Sequence, residues 1–223
     1  MPLSTHTHDI TPPTQLERSL KELDQEVLRM GTLVEQSFRL SHQALFARNL
    51  DAIAQIDVIE KQIDIYYRQI ELDCAKIITL QRPVALDLRL LNAFMQLVRD
   101  LERIGDYSQD LAELAMKLAP YSPHPCLPDI EEMSHNAQMM LAASLVALTE
   151  LDATAGRRVK VMDDLVDDAY DRLYQTFAEA KDIKGSIEPI LLMVLTIRHL
   201  ERMADHATNI GQRVAYIVTG QRG

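Results

Sequence analysis

Residues 98–106 read VRDLERIGD, and residues 197–205 read IRHLERMAD. The two stretches are 99 positions apart, and five of their nine residues are identical. Around each stretch, over residues 90–118 and 193–217, apolar residues recur at steps that alternate between four and three. This spacing is typical of a long helix with one apolar face. The chain therefore contains two long helices of the same design.

The similarity extends upstream of these helices. Residues 60–67 (EKQIDIYY) resemble residues 163–170 (DDLVDDAY) at an offset of 103, and NLD at 49–51 resembles ELD at 150–152. A repeat of this length indicates two copies of one structural unit. We predict that each unit has three helices, with short connections that make neighbouring helices antiparallel.

The predicted fold is all-α, with two tandem three-helix bundles related by an internal repeat. Prolines mark the boundaries, because a proline in a helix interior removes a hydrogen bond and clashes with the preceding turn. The predicted segments are a disordered N-terminal tail (1–13), a first repeat (14–118), a Pro-rich linker (119–127) and a second repeat (128–219). The predicted helices span 14–48, 51–79, 84–118, 128–150, 153–183 and 187–219.

Composition restricts the classes of partner. The chain has 223 residues, with 23 Lys and Arg against 33 Asp and Glu, giving a formal charge of −10. Nucleic-acid binding needs a basic surface, so we expect no nucleic-acid partner. Two distant cysteines, Cys74 and Cys126, do not predict a disulfide framework. The N-terminus lacks the apolar region of a signal peptide, and the apolar run at 189–197 is too short to span a bilayer. We expect a cytoplasmic protein without membrane insertion.

Acidic residues recur at helical spacing in both repeats. Residues four apart share one helix face, and on the third helix of each unit the acidic row lies well away from the apolar face of that helix. The third helix of each unit carries a row of three polar residues, and the second helix carries a pair. The set is Glu60, Asp64, Glu102, Asp106 and Asp110 in the first half, and Asp163, Asp167, Glu201, Asp205 and Asn209 in the second.

A single acidic row opposite an apolar face is usually only a solvated surface. Here, however, like charges at this spacing cost each helix roughly 0.2–0.5 kcal/mol, and the pattern occurs four times. If antiparallel packing brings the second and third helices together, four carboxylates converge and raise one another's pKa values unless a cation is present. Oxygen ligands favour magnesium, manganese, calcium or ferric iron over zinc. A carboxylate-bridged metalloenzyme and a plain dimerising bundle remain alternatives.

Other polar residues give weaker signals. Arg103 and Arg202 follow the glutamates and are candidates to pair with the carboxylates near Asp106, while His206 is expected to be a surface residue. We see no basic pocket for free phosphate, so phosphate would bind only through a metal. No nucleophile–base pair, phosphate-binding Gly loop or cofactor motif occurs, and we therefore expect no enzyme activity.

Two linked copies of one motif make the chain similar to a known family. The segments LERIGD (101–106) and LERMAD (200–205), with QRPVALDLRLL (81–91), resemble the signature of the PhoU family over nearly the whole chain. The resemblance implies two three-helix bundles with metal clusters at the Glu/Asp-x-x-x-Asp pairs. Where the second half has the family's Asn209, the first has Asp110, which would add charge to its cluster.

The resemblance also implies a role. Members of the family negatively regulate high-affinity phosphate uptake, acting between the phosphate ABC transporter ATPase and a sensor histidine kinase. They are cytoplasmic and often homodimeric, and they reach the inner membrane only through their partners. These properties are expectations for this chain.

Overall fold

A computed structural model of the chain describes residues 13–180 and 185–221. Within them there are six helices and no strands, so the all-α prediction is confirmed. Eleven of the twelve predicted helix ends lie within two residues of the observed ones. The exception is the fifth helix, which ends at residue 178 rather than 183. Residues 181–184 and all but Pro13 of the predicted tail lie outside the described residues. The helices are α1 (Gln15–Phe46), α2 (Ala52–Gln81), α3 (Ala85–Leu118), α4 (Leu127–Glu150), α5 (Ala153–Ala178) and α6 (Glu188–Thr219).

Local sequence explains several helix ends. Thr14 and Glu17 form a capping box at the start of α1, each accepting a hydrogen bond from the other's backbone N–H. Such a box satisfies donors that have no partner within the helix. At the start of α5, Asp152 Oδ1 accepts from the backbone N–H groups of the second and third helical residues, at 2.7 and 3.1 Å. Gly220 caps the end of α6, and its φ of 73° is one that a residue without a Cβ adopts readily.

The two halves share one core. Helices α3 and α6 pack against each other at the centre, α1 packs against α4 beside them, and α2 and α5 lie on opposite outer sides. Helices α3 and α6 are antiparallel, because Asp100 contacts His206 while Asp110 lies near His199. A single cluster of buried apolar residues extends through all six helices. The two three-helix repeats therefore pack against each other around a continuous core.

The segment between α3 and α4 is bonded to both halves. The guanidinium of Arg48, just after α1, donates to the carbonyl of Tyr121 at 2.8 Å. The hydroxyl of Tyr121 donates to Glu188 at the start of α6. His124 packs against Phe177 of α5, with 5.5 Å between ring centroids. The predicted Pro-rich linker is thus held against helices of both repeats.

None of the helices among residues 13–180 and 185–221 combines the length and the apolar character that a bilayer crossing requires.

Candidate metal centres

The antiparallel packing of α2 on α3 brings two acidic rows together. Gly105 of α3 lies against Ile63 of α2, where a Cβ would be 3.1 Å from the isoleucine Cδ1. One turn further along α3, Gln109 Nε2 donates to Asp57 Oδ1 at 3.3 Å. Around these contacts, acidic residues of both helices come near one another, with Asp110 at the edge. We call this set acidic cluster one: Glu60, Asp64, Glu102, Asp106 and Asp110.

The carboxylates of acidic cluster one act on each other across the two helices. Burial raises the pKa of Glu60, and the charges of Asp64 and Asp106 raise it further. Burial also raises the pKa of Glu102, with added repulsion from Asp106 and from Asp64 on the other helix. Since repulsion is felt from both helices, the α2 row and the α3 row face a common space.

The second half repeats this arrangement on α5 and α6. Burial raises the pKa of Asp167, and the charge of Asp163 adds to the shift, as does that of Asp205 on the opposite helix. The pKa of Glu201 is raised by burial, then by Asp205 and, across the helices, by Asp167. We call this set acidic cluster two: Asp163, Asp167, Glu201, Asp205 and Asn209.

Asp163 is far more buried than the sequence predicts. As a member of a surface metal cluster it was expected to be accessible, but Asp163 is only 2% exposed. The cause lies two turns earlier, where a Cβ on Gly156 would be 2.4 Å from the carbonyl oxygen of Gly211. The two glycines let α5 approach α6 closely, so that Asp163 is covered.

One oxygen of Asp163 has no protein partner. Lys160 Nζ donates to Oδ2 at 2.6 Å. Oδ1 is buried and makes no hydrogen bond to any described residue. A buried carboxylate oxygen without a partner is costly, and a cation bound at acidic cluster two would satisfy it.

Most of these carboxylates form ion pairs with basic side chains of their own helix. Arg103 pairs with Asp106 at 3.1 Å, as the sequence suggested, and Arg202 pairs with Asp205 at 3.3 Å. As the side chains stand, no three Asp, Glu, His or Cys residues of the described chain are gathered closely enough to hold an ion. The donor set fits a hard cation, but coordination requires the carboxylates to turn away from their basic partners. The remaining pairs are Arg68–Asp64, Arg103–Glu102, Lys160–Asp163 and Arg198–Glu201.

Two predicted metal ligands point towards the other half of the molecule instead. Asp110 Oδ2 lies 4.0 Å from His199 Nδ1 on α6, although its charge still raises the pKa of Asp106. Asn209 Nδ2 donates to Asp100 Oδ1 on α3 at 3.3 Å. These two residues therefore connect α3 with α6 and lie at the edge of the clusters.

The structure corrects the prediction for His206. The side chain is only 12% exposed, and its Nδ1 lies 2.8 Å from Asp100 Oδ1 on α3. His206 therefore belongs to the interface between the halves and not to the free surface. Its partner is 106 positions away, so no local pattern around His206 could have revealed the contact.

The expectation that the chain lacks a basic pocket was also wrong. A cavity of about 680 Å³ lies between α2, α3 and α6. Four arginines line it: Arg99 and Arg103 from α3, and Arg202 and Arg213 from α6. The sequence separates these residues into two distant pairs, and only the α3–α6 packing joins them.

Comparison with known proteins agrees with this architecture. A family model described as the PhoU domain matches residues 27–115 and again 130–214. Over 206 residues, covering 92% of each chain, the sequence is 66% identical to the phosphate-specific transport system accessory protein PhoU homolog of Synechocystis sp..

Solved structures give the same result. The crystal structure of PhoU from Pseudomonas aeruginosa is similar with a TM-score of 0.86 and 30% identity, covering 93% of this chain and 100% of that one. The phosphate transport system regulatory protein PhoU from Streptococcus pneumoniae is similar with a TM-score of 0.85 and 28% identity, covering 94% and 99%.

Proposed function

This chain belongs to the PhoU family, and from that premise we propose that it is an accessory regulator of phosphate transport that binds metal ions at its two acidic clusters. The accessory role is supported by the name of the Synechocystis relative, and the regulatory role by that of the Streptococcus pneumoniae structure. The metal-binding role is supported by one observation above all. In each half, carboxylates from two helices face a common space and repel one another.

The residues that would hold the ions are the members of the two clusters. In the first half, Glu60 and Asp64 of α2 face Glu102 and Asp106 of α3, with Asp110 at the edge. In the second half the corresponding residues are Asp163, Asp167, Glu201 and Asp205, with Asn209 at the edge. Bound ions would supply the positive charge that offsets this repulsion. All-oxygen ligands favour iron, manganese or magnesium over zinc.

Metal loading would change the surface that a partner meets. The carboxylates that now pair with Arg68, Arg103, Arg198 and Arg202 would be held by the ion instead. The arginines, each at least partly exposed, would then present free guanidinium groups beside a neutralised acidic face. A partner that recognises this charge pattern would distinguish the loaded from the unloaded protein.

We propose that the partners are the phosphate ABC transporter ATPase and a sensor histidine kinase, and that the protein lowers phosphate uptake and starvation signalling. The family resemblance supports these partners, and it supports a homodimer located at the cytoplasmic side of the inner membrane. Sedimentation of the purified chain tests the dimer. Metal-loaded protein that turned over a phosphoester would instead favour the metalloenzyme alternative.

Metal analysis of purified protein tests the sites. We expect Asp64→Asn combined with Asp106→Asn to abolish ions bound at acidic cluster one and leave those at cluster two. The matched control is Glu113→Gln, which removes a charge from an exposed residue of α3 outside the cluster. A wild-type protein that holds no metal, and whose melting does not respond to a chelator, would refute the metal sites.

Affinity capture from phosphate-replete cells tests the partners. Wild-type protein and Glu113→Gln are expected to recover the transporter ATPase and the kinase. The variant with both clusters neutralised is expected to recover less of each. Recovery of neither protein by the wild type would overturn the adaptor role without affecting the metal analysis.

A further inference from the structure

Most of the charged residues that line one cavity of this acidic protein are basic. The chain carries a formal charge of −10, yet the cavity between α2, α3 and α6 has four arginines among its lining residues and only two carboxylates, Glu71 and Asp100. Two of the four guanidinium groups, those of Arg103 and Arg202, already pair with carboxylates of the acidic clusters, so the other two are the ones that an anion would neutralise. Arginine side chains are also the usual groups that recognise phosphate oxygens in pairs.

The two carboxylates are already engaged. Burial raises the pKa of Tyr67, and the interaction of its hydroxyl with the nearby Glu71 raises it further. Asp100 Oδ1 lies within hydrogen-bonding distance of His206 Nδ1 and accepts from Asn209 across the interface between the halves. These carboxylates therefore fix the cavity wall and are not placed to neutralise the arginines. By contrast, Arg99 and Arg213 form no ion pair within residues 13–180 and 185–221.

Two nitrogens of the lining residues are buried without a partner. They are Nε2 of His206 and Nε of Arg213, and neither makes a hydrogen bond to a described residue. The Asp100 contact holds the His206 ring in place by its other nitrogen. Buried polar atoms without partners are rare in folded proteins. Both would be satisfied by a ligand that carries several oxygens.

We propose that this cavity binds a small molecule through a phosphate group, which lies among Arg99, Arg103, Arg202 and Arg213. Its volume of about 680 Å³ is larger than one inorganic phosphate needs and falls within the range of cavities that accept small organic ligands. The phosphate group can therefore come from inorganic phosphate or from a phosphate ester such as a nucleotide.

Part of the polar lining of this cavity is not repeated in the second half. The repeat offset of 99 relates Asn92, Gln96 and Arg213 to Leu191, Leu195 and Leu114. Leu191 and Leu195 are exposed apolar residues, so the corresponding surface of the second half lacks the polar lining. This difference in lining distinguishes the arginine-lined cavity from the matching surface of the second half.

Calorimetric titration of the full-length protein tests the proposal. The protein is first passed over a chelating resin, so that phosphate cannot bind through metal and no dissolved polyanionic chelator competes. One arm uses inorganic phosphate and the other uses AMP, both in a buffer without phosphate or sulfate. Saturable binding of either probe is expected, and the stronger probe identifies the source of the phosphate group.

Two variants and a control locate the site. We expect Arg213→Leu, which introduces the residue of the repeat-equivalent position 114, and Arg99→Gln each to weaken binding by about tenfold or more. Arg99 is exposed, so its variant keeps the fold, and a thermal melt checks both proteins. The control Arg39→Gln removes the same charge from an exposed position of α1 and should leave affinity within about twofold.

Two results would overturn the proposal. One is a wild-type protein that binds neither probe. The other is an equal loss of affinity in all three variants, which would show that only net charge matters. Neither result depends on the acidic clusters or on the protein partners, so the regulatory role is tested separately from this site.

Discussion

The two outer helices pack on their neighbours in different ways. Helix α5 approaches α6 through Gly156 and Gly211, whereas the repeat offsets place Ile53 and Ala112 at the corresponding positions of α2 and α3. Helices α2 and α3 therefore lack the glycine-to-glycine contact that α5 and α6 make. As a result, Asp163 is almost completely buried, and its counterpart Glu60 is only partly buried. Equal acidic patterns in the sequence thus produce two different electrostatic environments.

Near the clusters, the two halves use different but complementary side chains where the outer helix meets the inner one. Ile63 packs on Gly105 in the first half, and the equivalent residues of the second half are Val166 and Ala204, both buried. Compared with the first half, the residue on α5 has one carbon fewer and the residue on α6 has one carbon more. The summed side-chain volume at the contact is therefore the same. Cores tolerate exchanges of this kind because packing density is maintained. The replacement of Gly105 by Ala204 is therefore accommodated on the facing helix.

The largest expected effect comes from blocking the close approach of α5 and α6. Gly156→Ala would place a Cβ 2.4 Å from a backbone oxygen of Gly211, which cannot move as a side chain can. Although alanine favours helix by about 1 kcal/mol, we expect a net loss of about 1–3 kcal/mol in the free energy of unfolding. Urea denaturation measures it.

Gly105→Ala provides the matched control in the first half. Its Cβ would meet only the flexible end of Ile63, at 3.1 Å. The free energy of unfolding should change by less than about 1 kcal/mol. Equal effects of the two substitutions would show that the halves pack alike, contrary to the comparison above.

A smaller difference is expected at the start of the outer helices. Asp152 caps α5 through two backbone N–H groups, but Asp51 at the start of α2 makes no capping hydrogen bond. Asp152→Ala should therefore lower the melting temperature more than Asp51→Ala does. A larger effect of the Asp51 substitution would contradict the geometry.

The pH dependence gives a second check on the cap. Hydrogen bonds from the backbone of Ala155 and Thr154 lower the pKa of Asp152 below its ordinary value of 3.8. A lowered folded-state pKa contributes stability above the unfolded-state pKa and loses it as the pH falls through the folded value. The difference in melting temperature between wild type and Asp152→Ala should be present at neutral pH and disappear in strong acid.

The smallest expected effect concerns repulsion within the clusters. In metal-free protein at neutral pH, Glu102→Gln should raise the free energy of unfolding by about 0.2–0.5 kcal/mol, because it removes a like-charge neighbour of Asp106. Glu201→Gln should raise the free energy of unfolding less, because this substitution weakens a 2.6 Å hydrogen bond from Arg198. The corresponding distance from Arg103 to Glu102 is 3.5 Å, so less is lost there. Chemical denaturation of both variants measures the contrast.

The sign of the pH dependence follows from the raised pKa of Glu102. A carboxyl whose pKa is raised by folding stabilises the protein below its unfolded-state pKa, and this contribution is lost as the pH rises through the folded value. The advantage of Glu102→Gln over wild type should therefore be greatest at neutral pH and vanish on acidification. An advantage that grew in acid would contradict the repulsion.

Local sequence patterns predicted most of the fold. Apolar periodicity located all six helices, and the short connections correctly predicted that α2 packs on α3 and α5 on α6. These features depend on residues close together in one helix, or on a repeat that reports neighbouring helices indirectly. The end of α5 was predicted too late, because the polar residues after Ala178 still fit a helical pattern.

The missed features depend on contacts between the two halves or on helix spacing. The contact between His206 and Asp100 joins residues 106 positions apart, and the arginine-lined cavity combines α3 with α6. The burial of Asp163 depends on the distance between two backbones at Gly156 and Gly211. No periodicity encodes such distances, although two glycines at facing positions of antiparallel helices are a usable signal.

The bonds that Tyr121 makes to Arg48 and Glu188 have a mechanical consequence. The connection between α3 and α4 is held on both sides by these bonds. It is therefore not free to act as a hinge between the halves. A protease cut there would leave two fragments that stay together, because their apolar faces are buried in one another. Any movement of one half against the other would therefore displace α3 against α6 and α1 against α4 without separating the halves.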